Sequence, residues 1–228
     1  MSARVDHLVI AAASLDEGVR WCRSTFGIEP GPGGTHPLMG THNRLMKIAT
    51  GDFPRAYLEI IAIDPAASAQ PAPRARRWFD LDDAALRTAL ARRGPRLIHF
   101  VAEVPDAHSA VQSLAEARID RGQVIEASRD TPSGRLSWRI TLRDDGQRLF
   151  YGALPTLIEW GDTHPTDAMV DTGITLSSLH LAHPRTADLA AALRAIRLAG
   201  VALSAGPPCI RAVFDTPRGT VTLDSEGL

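Results

Sequence analysis

The stretch "RVDHLVIAAASLDEGVRWCRSTFGI", residues 4–28, begins as an apolar strand and continues as an amphipathic helix. Its pattern recurs in "RLIHFVAEVPDAHSAVQSLAEARI", residues 96–119, and again in "LSSLHLAHPRTADLAAALRAIRLAGV", residues 176–201. The strand of each copy carries one central histidine: His7, His99 and His180. A pattern that returns in this way indicates an internal structural repeat.

After each helix the sequence turns to extended segments, which end in "AYLEIIAID" (56–64), "LPTLIEWGD" (154–162) and "GTVTLDSEG" (219–227). The repeating unit is therefore predicted to be β-α-β-β-β. The first two units are long and look like a matched pair, whereas the third is compact. This organisation predicts an α+β fold with module one at 1–64, module two at 96–162 and a third module at 174–228. Linkers are expected at 65–95 and 163–173.

Local signals place the helices within these units. Ser14 followed by Glu17 is typical of a capping box, and Gly27 can adopt the left-handed conformation that ends a helix. In the Pro- and Ala-rich first linker, "DDAALRTALARRG" predicts a short helix that Asp82 caps and Gly94 ends.

The composition is that of an ordinary globular protein, with 44% apolar and 22% charged residues. A formal net charge of −1 does not indicate a basic surface that would bind nucleic acid or an acidic membrane. No apolar run approaches the roughly 20 residues of a membrane span, and the start has no signal-peptide pattern. Cys22 and Cys209 have neither disulfide-framework nor metal-site spacing, so we expect free thiols and a cytoplasmic protein.

Alternation along a strand predicts which way each central histidine points. In the first strand, Val5 and His7 should share one face with Val9, and the helix should cover the other. In module two, Leu97 should likewise share the face of His99. Each histidine is therefore expected on the concave side of its sheet, opposite the helix.

The closing strands of the paired modules add one acid each in an apolar setting, Glu59 and Glu159. A buried carboxylate needs a cation or a hydrogen-bond donor as its partner. Two histidines and two glutamates at matching positions, namely His7, Glu59, His99 and Glu159, can partner one another, or all four can hold a divalent metal. Such an ion (Ni, Mn, Zn, Fe or Co) would keep coordination positions open for water or substrate.

Four segments, "DHLVIAAASLDEGVRW", "GTHNRLMKI", "YLEIIAID" and "LIEWGDTHP", together resemble the glyoxalase-like branch of the vicinal oxygen chelate superfamily. The likeness spans residues 4 to about 165, and the third module is similar to a C-terminal extension of that branch. It implies that paired βαβββ modules curl around a cavity. It also implies that metal ligands come from the first and last strands of each module, at His7, Glu59, His99 and Glu159.

The superfamily holds lyases, epimerases, ring-cleaving dioxygenases, thiol transferases and metal-free drug-binding proteins, so the fold alone names no reaction. The leading hypothesis is a metal-dependent lyase or isomerase that moves a proton on a small vicinal-oxygen substrate, with Glu59 or Glu159 as base. The alternatives are a metal-free protein that binds a small molecule or drug, and a ring-cleaving dioxygenase. The acidic Glu59 fits the four-ligand pattern of isomerases and lyases better than the dioxygenase pattern.

Other residues are candidates for the cavity wall. Adjacent His42 and Asn43 point to opposite faces of their strand, so one of them is expected to face the substrate, and Trp138 can supply an aromatic surface. His36 and His164, each followed by proline, are expected in loops. The open edge of the third module has no internal partner, so a homodimer is one alternative.

Overall fold

The computed structural model describes residues 2–67, 76–132 and 134–226. Its helices are α1 (Leu15–Phe26), α2 (Ala84–Arg93), α3 (Ala107–Glu116) and α4 (Thr186–Ala195). Its strands are β1 (Arg4–Ala11), β2 (Thr35–His36), β3 (Thr41–Lys47), β4 (Tyr57–Ile63), β5 (Arg96–Glu103), β6 (Gln123–Thr131), β7 (Gly134–Leu142), β8 (Thr156–Trp160), β9 (Thr175–Ala182), β10 (Val201–Ser204), β11 (Cys209–Thr216) and β12 (Gly219–Asp224).

The first two modules build one eight-stranded sheet in the order β2-β3-β4-β1-β5-β8-β7-β6, which curls into a half-barrel. Within each module the first and last strands pair in parallel, β1 with β4 and β5 with β8. The modules join through antiparallel pairing of β1 with β5. The third module forms its own sheet in the order β10-β9-β11-β12. The predicted α+β class with paired βαβββ modules is confirmed.

The predicted ends of α1 are confirmed, and the predicted start of α2 needs one correction. The Ser14 side chain accepts a hydrogen bond from the backbone N–H of Glu17, and Gly27 takes the left-handed conformation (φ 77°) at the end of α1. The cap of α2 is Asp83, whose carboxylate accepts the Leu86 N–H, and not Asp82. Asp82 instead pairs with Arg77. Two adjacent aspartates carry the same local signal, and this ion pair decides between them.

The faces of the two central strands differ from simple alternation, because each strand contains a bulge. Asp6 has no partner across the β1–β5 ladder, and neither does Ile98. An extra residue on one strand reverses the alternation that precedes it. Val5 and Leu97 therefore lie in the core on the helix side, not on the face of the histidines.

The core has two parts, one on each side of the half-barrel sheet. On the helix side, α1 and α3 pack together with the third module, which contributes Leu176, Leu181 and Phe214. On the concave side, α2 and the short 3-10 turn Trp78–Asp80 pack against Val9 and Val101. The first linker thus covers the concave face, although residues 68–75 of its Pro- and Ala-rich part lie outside the described residues.

Among the described residues, no helix is long and apolar enough to cross a membrane. The exact module boundaries stay a prediction.

Candidate active site

The bulge in β1 places Asp6 directly behind His7. The Asp6 Oδ1 and His7 Nδ1 atoms are 2.5 Å apart, and both side chains are buried. The other ring nitrogen, Nε2, lies 3.5 Å from Oε2 of Glu59 on the neighbouring strand β4. Tyr57 stacks on the imidazole with ring centroids 4.5 Å apart. The result is a buried row of acid, imidazole and acid, with the ring held in one orientation.

The groups in this row stabilise one another in their charged forms. Burial by itself lowers the pKa of His7, but its contacts with Asp6 and Glu59 overcome this effect and raise the pKa to about 9. Burial raises the pKa of Glu59, yet His7, His36 and Asn43 bring it below its usual value. At neutral pH His7 is therefore an imidazolium and Glu59 a carboxylate.

A second set of contacts fixes Asp6 from its other side. Its Oδ2 accepts hydrogen bonds from Trp160 Nε1 and from His164 Nε2, each at 2.9 Å. Burial opposes the charge of Asp6, but the hydrogen bonds from His164 and His7 still lower its pKa. His164 is itself fixed by Thr166, whose hydroxyl lies 2.7 Å from Nδ1. Asp6 is thus held as a carboxylate whose role is to orient and charge His7.

Glu59 is oriented by β3. Asn43 Nδ2 donates to Glu59 Oε1 at 2.7 Å, while Asn43 Oδ1 accepts the N–H of Gly34. His36 lies beside this amide, and burial lowers its pKa to about 4, so it is neutral at pH 7. His42, the neighbour of Asn43, does not line the cavity. Of this adjacent pair, Asn43 is the one that faces inward.

These groups line a small cavity of about 40 Å³ on the concave side of the sheet. Its polar wall is formed by His7, His36, Asn43, Tyr57, Glu59 and Arg129. Its apolar wall includes Trp78, Phe79, Trp138 and Trp160. A water needs roughly 10–15 Å³ of such volume, so the cavity has room for a group of a few heavy atoms.

The counterpart histidine in module two has a different setting. His99 is fully buried, its Nδ1 donates to the carbonyl oxygen of Gly152 at 2.8 Å, and its Nε2 accepts the N–H of Thr156 at 3.1 Å. Burial, with the nearby guanidinium groups of Arg121 and Arg148, holds the pKa of His99 well below its usual value. His99 is thus a neutral imidazole with both nitrogens bound inside the protein.

The structure also places Glu159 away from His7 and Glu59. Its Oε2 accepts the N–H of Ala107, the first residue of α3, and its Oε1 accepts from Arg139 at 2.8 Å. The register of the strand pairs explains this position. In module one, Glu59 pairs with Val9, which is two residues after His7. In module two, the residue that pairs with Val101, two residues after His99, is Thr156. Thr156 is therefore the structural counterpart of Glu59, and Glu159 lies three residues further along β8.

The four-residue donor set implied by the resemblance does not fit this arrangement. His7 and Glu59 come together, but the nitrogens of His99 and both oxygens of Glu159 are bound elsewhere. Catalytic metal sites normally use at least three protein ligands. In this arrangement two of the four residues lie together at the cavity and two do not, so the four-ligand metal site stays a prediction.

Within the described parts of the chain, one group of three acidic or imidazole side chains has ligand atoms within 4.8 Å of one another: Asp6, Glu103 and His164. Asp6 and His164 are hydrogen-bonded to each other. Glu103 pairs with Arg4 at 2.8 Å and lies 3.5 Å from Arg55. The present geometry is that of a hydrogen-bonded charge network, and an ion would have to displace these bonds.

Sequence reasoning did not select Asp6, Tyr57, Arg129 or His164 for this site. The adjacent pair Asp6-His7 was a visible signal, but strict alternation assigns neighbouring residues to opposite faces. The proline after His164 predicts a loop, and His164 does lie beside a 3-10 turn, yet that turn buries its ring against Asp6. His36, for which the sequence also predicts a loop, lies in β2 at the cavity.

The curled sheet and its concave polar site define a protein of the paired βαβββ class. A model of the glyoxalase-like domain family matches residues 5–196, and the chain belongs to this family. The resemblance to the vicinal oxygen chelate superfamily is thereby confirmed. None of the curated proteins compared matches this chain.

Several solved structures are similar to this chain, and the first of those given next shows likeness of fold. A hypothetical protein from Staphylococcus aureus is 12% identical with a TM-score of 0.59, and the match covers 98% of this chain and 85% of that one. A methylmalonyl-CoA epimerase variant from Streptomyces coelicolor is 20% identical with a TM-score of 0.44, and the match covers 72% and 99% of the two chains. The Mycobacterium tuberculosis methylmalonyl-CoA epimerase is 15% identical with a TM-score of 0.38, covering 72% and 91%.

Proposed function

We propose that the protein is an isomerase-type enzyme that moves a proton at the carbon next to a carbonyl of a small substrate. The observation that carries the proposal is the buried pair of His7 and Glu59, whose Nε2 and Oε2 atoms are 3.5 Å apart at the cavity. This separation is longer than a good hydrogen bond, so each group keeps the capacity to bind a substrate atom. The pair offers a proton donor and a proton acceptor side by side.

Glu59 is assigned as the general base. Its carboxylate takes the proton from the substrate carbon: the C–H bond breaks, an O–H bond forms on Glu59, and the electron pair moves to the carbonyl oxygen. His7 donates its Nε2–H to that oxygen and stabilises the developing enolate charge. Glu59 then returns the proton to the same carbon, which restores the carbonyl. In an α-hydroxycarbonyl it can instead return the proton to the former carbonyl carbon: His7 has then protonated the first oxygen, and it takes back a proton from the neighbouring hydroxyl, which becomes the new carbonyl.

Asp6 keeps His7 in the required state. The carboxylate behind Nδ1 stabilises the imidazolium and orients Nε2 toward the cavity, as a buried aspartate does in other acid–base sites. When Nε2–H turns to the substrate oxygen, Glu59 loses part of the contact that lowers its pKa. Substrate binding therefore makes Glu59 a stronger base at the moment it is needed.

Proton exchange with solvent tests this proposal. In deuterium oxide, the wild type should incorporate deuterium into an α-hydroxycarbonyl, an α-ketoaldehyde or a 2-methyl-branched acyl compound, as followed by NMR. Glu59→Gln should slow exchange by about 10²- to 10⁴-fold, because general-base catalysis is worth that much. Glu159→Gln is the matched control, since this carboxylate caps α3, and its rate should stay within about threefold of the wild type. Equal losses in the two variants, or no exchange by the wild type, would contradict the assignment.

A divalent ion (Ni, Mn, Zn, Fe or Co) stays a prediction from the resemblance. Elemental analysis of the purified protein, and exchange rates before and after chelation, check it. A homodimer also stays a prediction, which the molar mass in solution would test.

The aromatic wall of the cavity, with Trp78, Phe79 and Trp138, favours a second candidate, namely metal-free binding of a small aromatic ligand. Tight binding of such a ligand without any proton exchange would support this candidate. Oxygen consumption with a catechol would instead support the dioxygenase alternative.

A further inference from the structure

Arg129 brings a half-buried positive charge to the cavity from the other module. It lies on β6, and its side chain lines the cavity together with His7 and Glu59. Its Nε and Nη1 atoms are buried and have no hydrogen-bond partner among the described residues. Its charge also acts on two neighbours, since it contributes to lowering the pKa of His36 and opposes the rise in the pKa of Tyr57.

The position of Arg129 follows from the curl of the sheet. β2 and β6 are the two edge strands of the half-barrel, and its curl brings them toward each other. The guanidinium of Arg129 lies against Gly34, just before β2, so closely that a Cβ at Gly34 would be 2.0 Å from Nη1. The absence of a side chain at Gly34 is what admits the guanidinium to this place.

The carboxylate of Glu59, which lines the same cavity, does not act as the partner of Arg129. Glu59 is already bound by Asn43 at 2.7 Å and lies beside the His7 imidazolium. Two buried guanidinium nitrogens without a hydrogen-bond partner are costly, because their desolvation is not repaid by hydrogen bonds. Arginine at such a position is well suited to a planar anionic group, which accepts charge-assisted hydrogen bonds.

We propose that Arg129 binds an anionic group, carboxylate or phosphate, of the substrate and so holds the reacting carbonyl next to His7 and Glu59. This inference rests on the proposed function, because it assigns the substrate class of the same site. A cavity of about 40 Å³ favours a carboxylate over the bulkier phosphate. The substrate is then a small acid whose carbonyl lies near its carboxylate.

Binding measurements on the whole chain described here test the inference without requiring turnover. Trp138 and Trp160 line the cavity, so their fluorescence can report titrations with acetate, pyruvate, inorganic phosphate and the neutral amides acetamide and pyruvamide. Acetate and pyruvate should bind, and the amides should bind at least about tenfold more weakly. Arg129→Gln should lower the affinity for the anions by a similar factor. Arg129→Lys, which keeps the charge, should bind with intermediate affinity.

Arg135→Gln is the matched control, since Arg135 is exposed on the same hairpin and bonds Ser128. It should bind the anions like the wild type. Phosphate binding that exceeds acetate binding would keep the anion site but overturn the carboxylate assignment. Equal affinity of the wild type and Arg129→Gln for all anions, or equal binding of acids and amides, would overturn the inference.

Stability separates a binding role from a structural one. Without ligand, Arg129→Gln should raise the melting temperature, because it removes two buried guanidinium nitrogens that have no hydrogen-bond partner. Acetate in excess should stabilise the wild type and not the variant. A variant that melts earlier than the wild type would show that Arg129 holds the two edges together, which contradicts the inference. Arg129-dependent anion binding without proton exchange would instead overturn only the proposed reaction.

Discussion

The two paired modules place different chemistry at equivalent points of the same fold. At the bulge before the central histidine, module one has Asp6 and module two has Ile98. Beside the histidine in the closing strand, module one has Glu59 and module two has Thr156. One histidine thus lies between two carboxylates, whereas the other is buried near the guanidinium groups of Arg121 and Arg148.

The difference decides what each imidazole can do. In module one the flanking carboxylates raise the pKa of His7 to about 9, and Nε2 stays available at the cavity. In module two, His99 uses both nitrogens to connect Gly152 and Thr156 across the base of the sheet. The two modules therefore share a backbone path, but His7 lies between two carboxylates at the cavity, whereas both nitrogens of His99 are hydrogen-bonded inside the protein.

The largest expected contrast is in activity. His7→Asn keeps a donor for Asp6 but removes the imidazolium, so proton exchange should fall by about 10²- to 10⁴-fold. His99→Asn should leave the exchange rate per folded molecule within about threefold of the wild type, because His99 offers no free nitrogen to a substrate. Exchange rates normalised to the folded fraction measure this contrast. A loss in His99→Asn as large as that in His7→Asn would show that both modules act in catalysis.

The next contrast is in stability. His99→Leu fills most of the space but leaves the Gly152 carbonyl and the Thr156 N–H without partners. Each unsatisfied buried group costs roughly 1–3 kcal/mol, so we expect the free energy of unfolding to fall by about 4 kcal/mol. Urea denaturation followed by circular dichroism measures it. A loss under about 1 kcal/mol would contradict the structural role of His99.

The smallest contrast is in pH dependence. The pKa of His7 is about 9 in the folded protein and 6.5 by itself, so its protonation contributes stability that is fully present below pH 6.5 and lost as the pH rises through about 9. We expect the wild type to lose about 3 kcal/mol over this range in excess of His7→Asn. His99, whose pKa is lowered, adds nothing to this alkaline loss. Urea denaturation at pH 6.5 and 9.5 measures the free energy of unfolding of both proteins. An equal loss in the wild type and in His7→Asn between these pH values would refute the raised pKa.

Most of the fold could be predicted from local patterns. Three copies of one strand-helix pattern indicated the repeated βαβββ units, and Ser14 and Gly27 indicated the ends of the first helix. Such signals depend on residues only a few positions apart in the chain, so they can be recognised in the sequence. The repeat indicated His7 and Glu59 as cavity candidates, and both line the cavity, as do Asn43 and the aromatic candidate Trp138. The other candidates, His42, His99 and Glu159, do not line it.

The rest depended on pairings between segments that are far apart in sequence. Alternation alone predicted Val5 on the face of His7, whereas a bulge, which is a property of the β1–β5 ladder, turned Asp6 to that face instead. Glu159 looked equivalent to Glu59 in its sequence setting, but the register of β8 on β5 gave that position to Thr156. A shift in register changes which side chains meet without changing the apolar pattern that predicts the strand.

The sequence by itself thus determined the repeat, the helices and the histidine at the centre of each module. Tertiary structure decided which histidine is charged, because the partners that set its pKa, Asp6 at a bulge and Glu59 on a neighbouring strand, depend on strand pairing. It also brought His164 and Arg129 to the site from segments more than 120 residues after His7. Burial and charge act through space, and only the folded chain fixes the distances on which they depend.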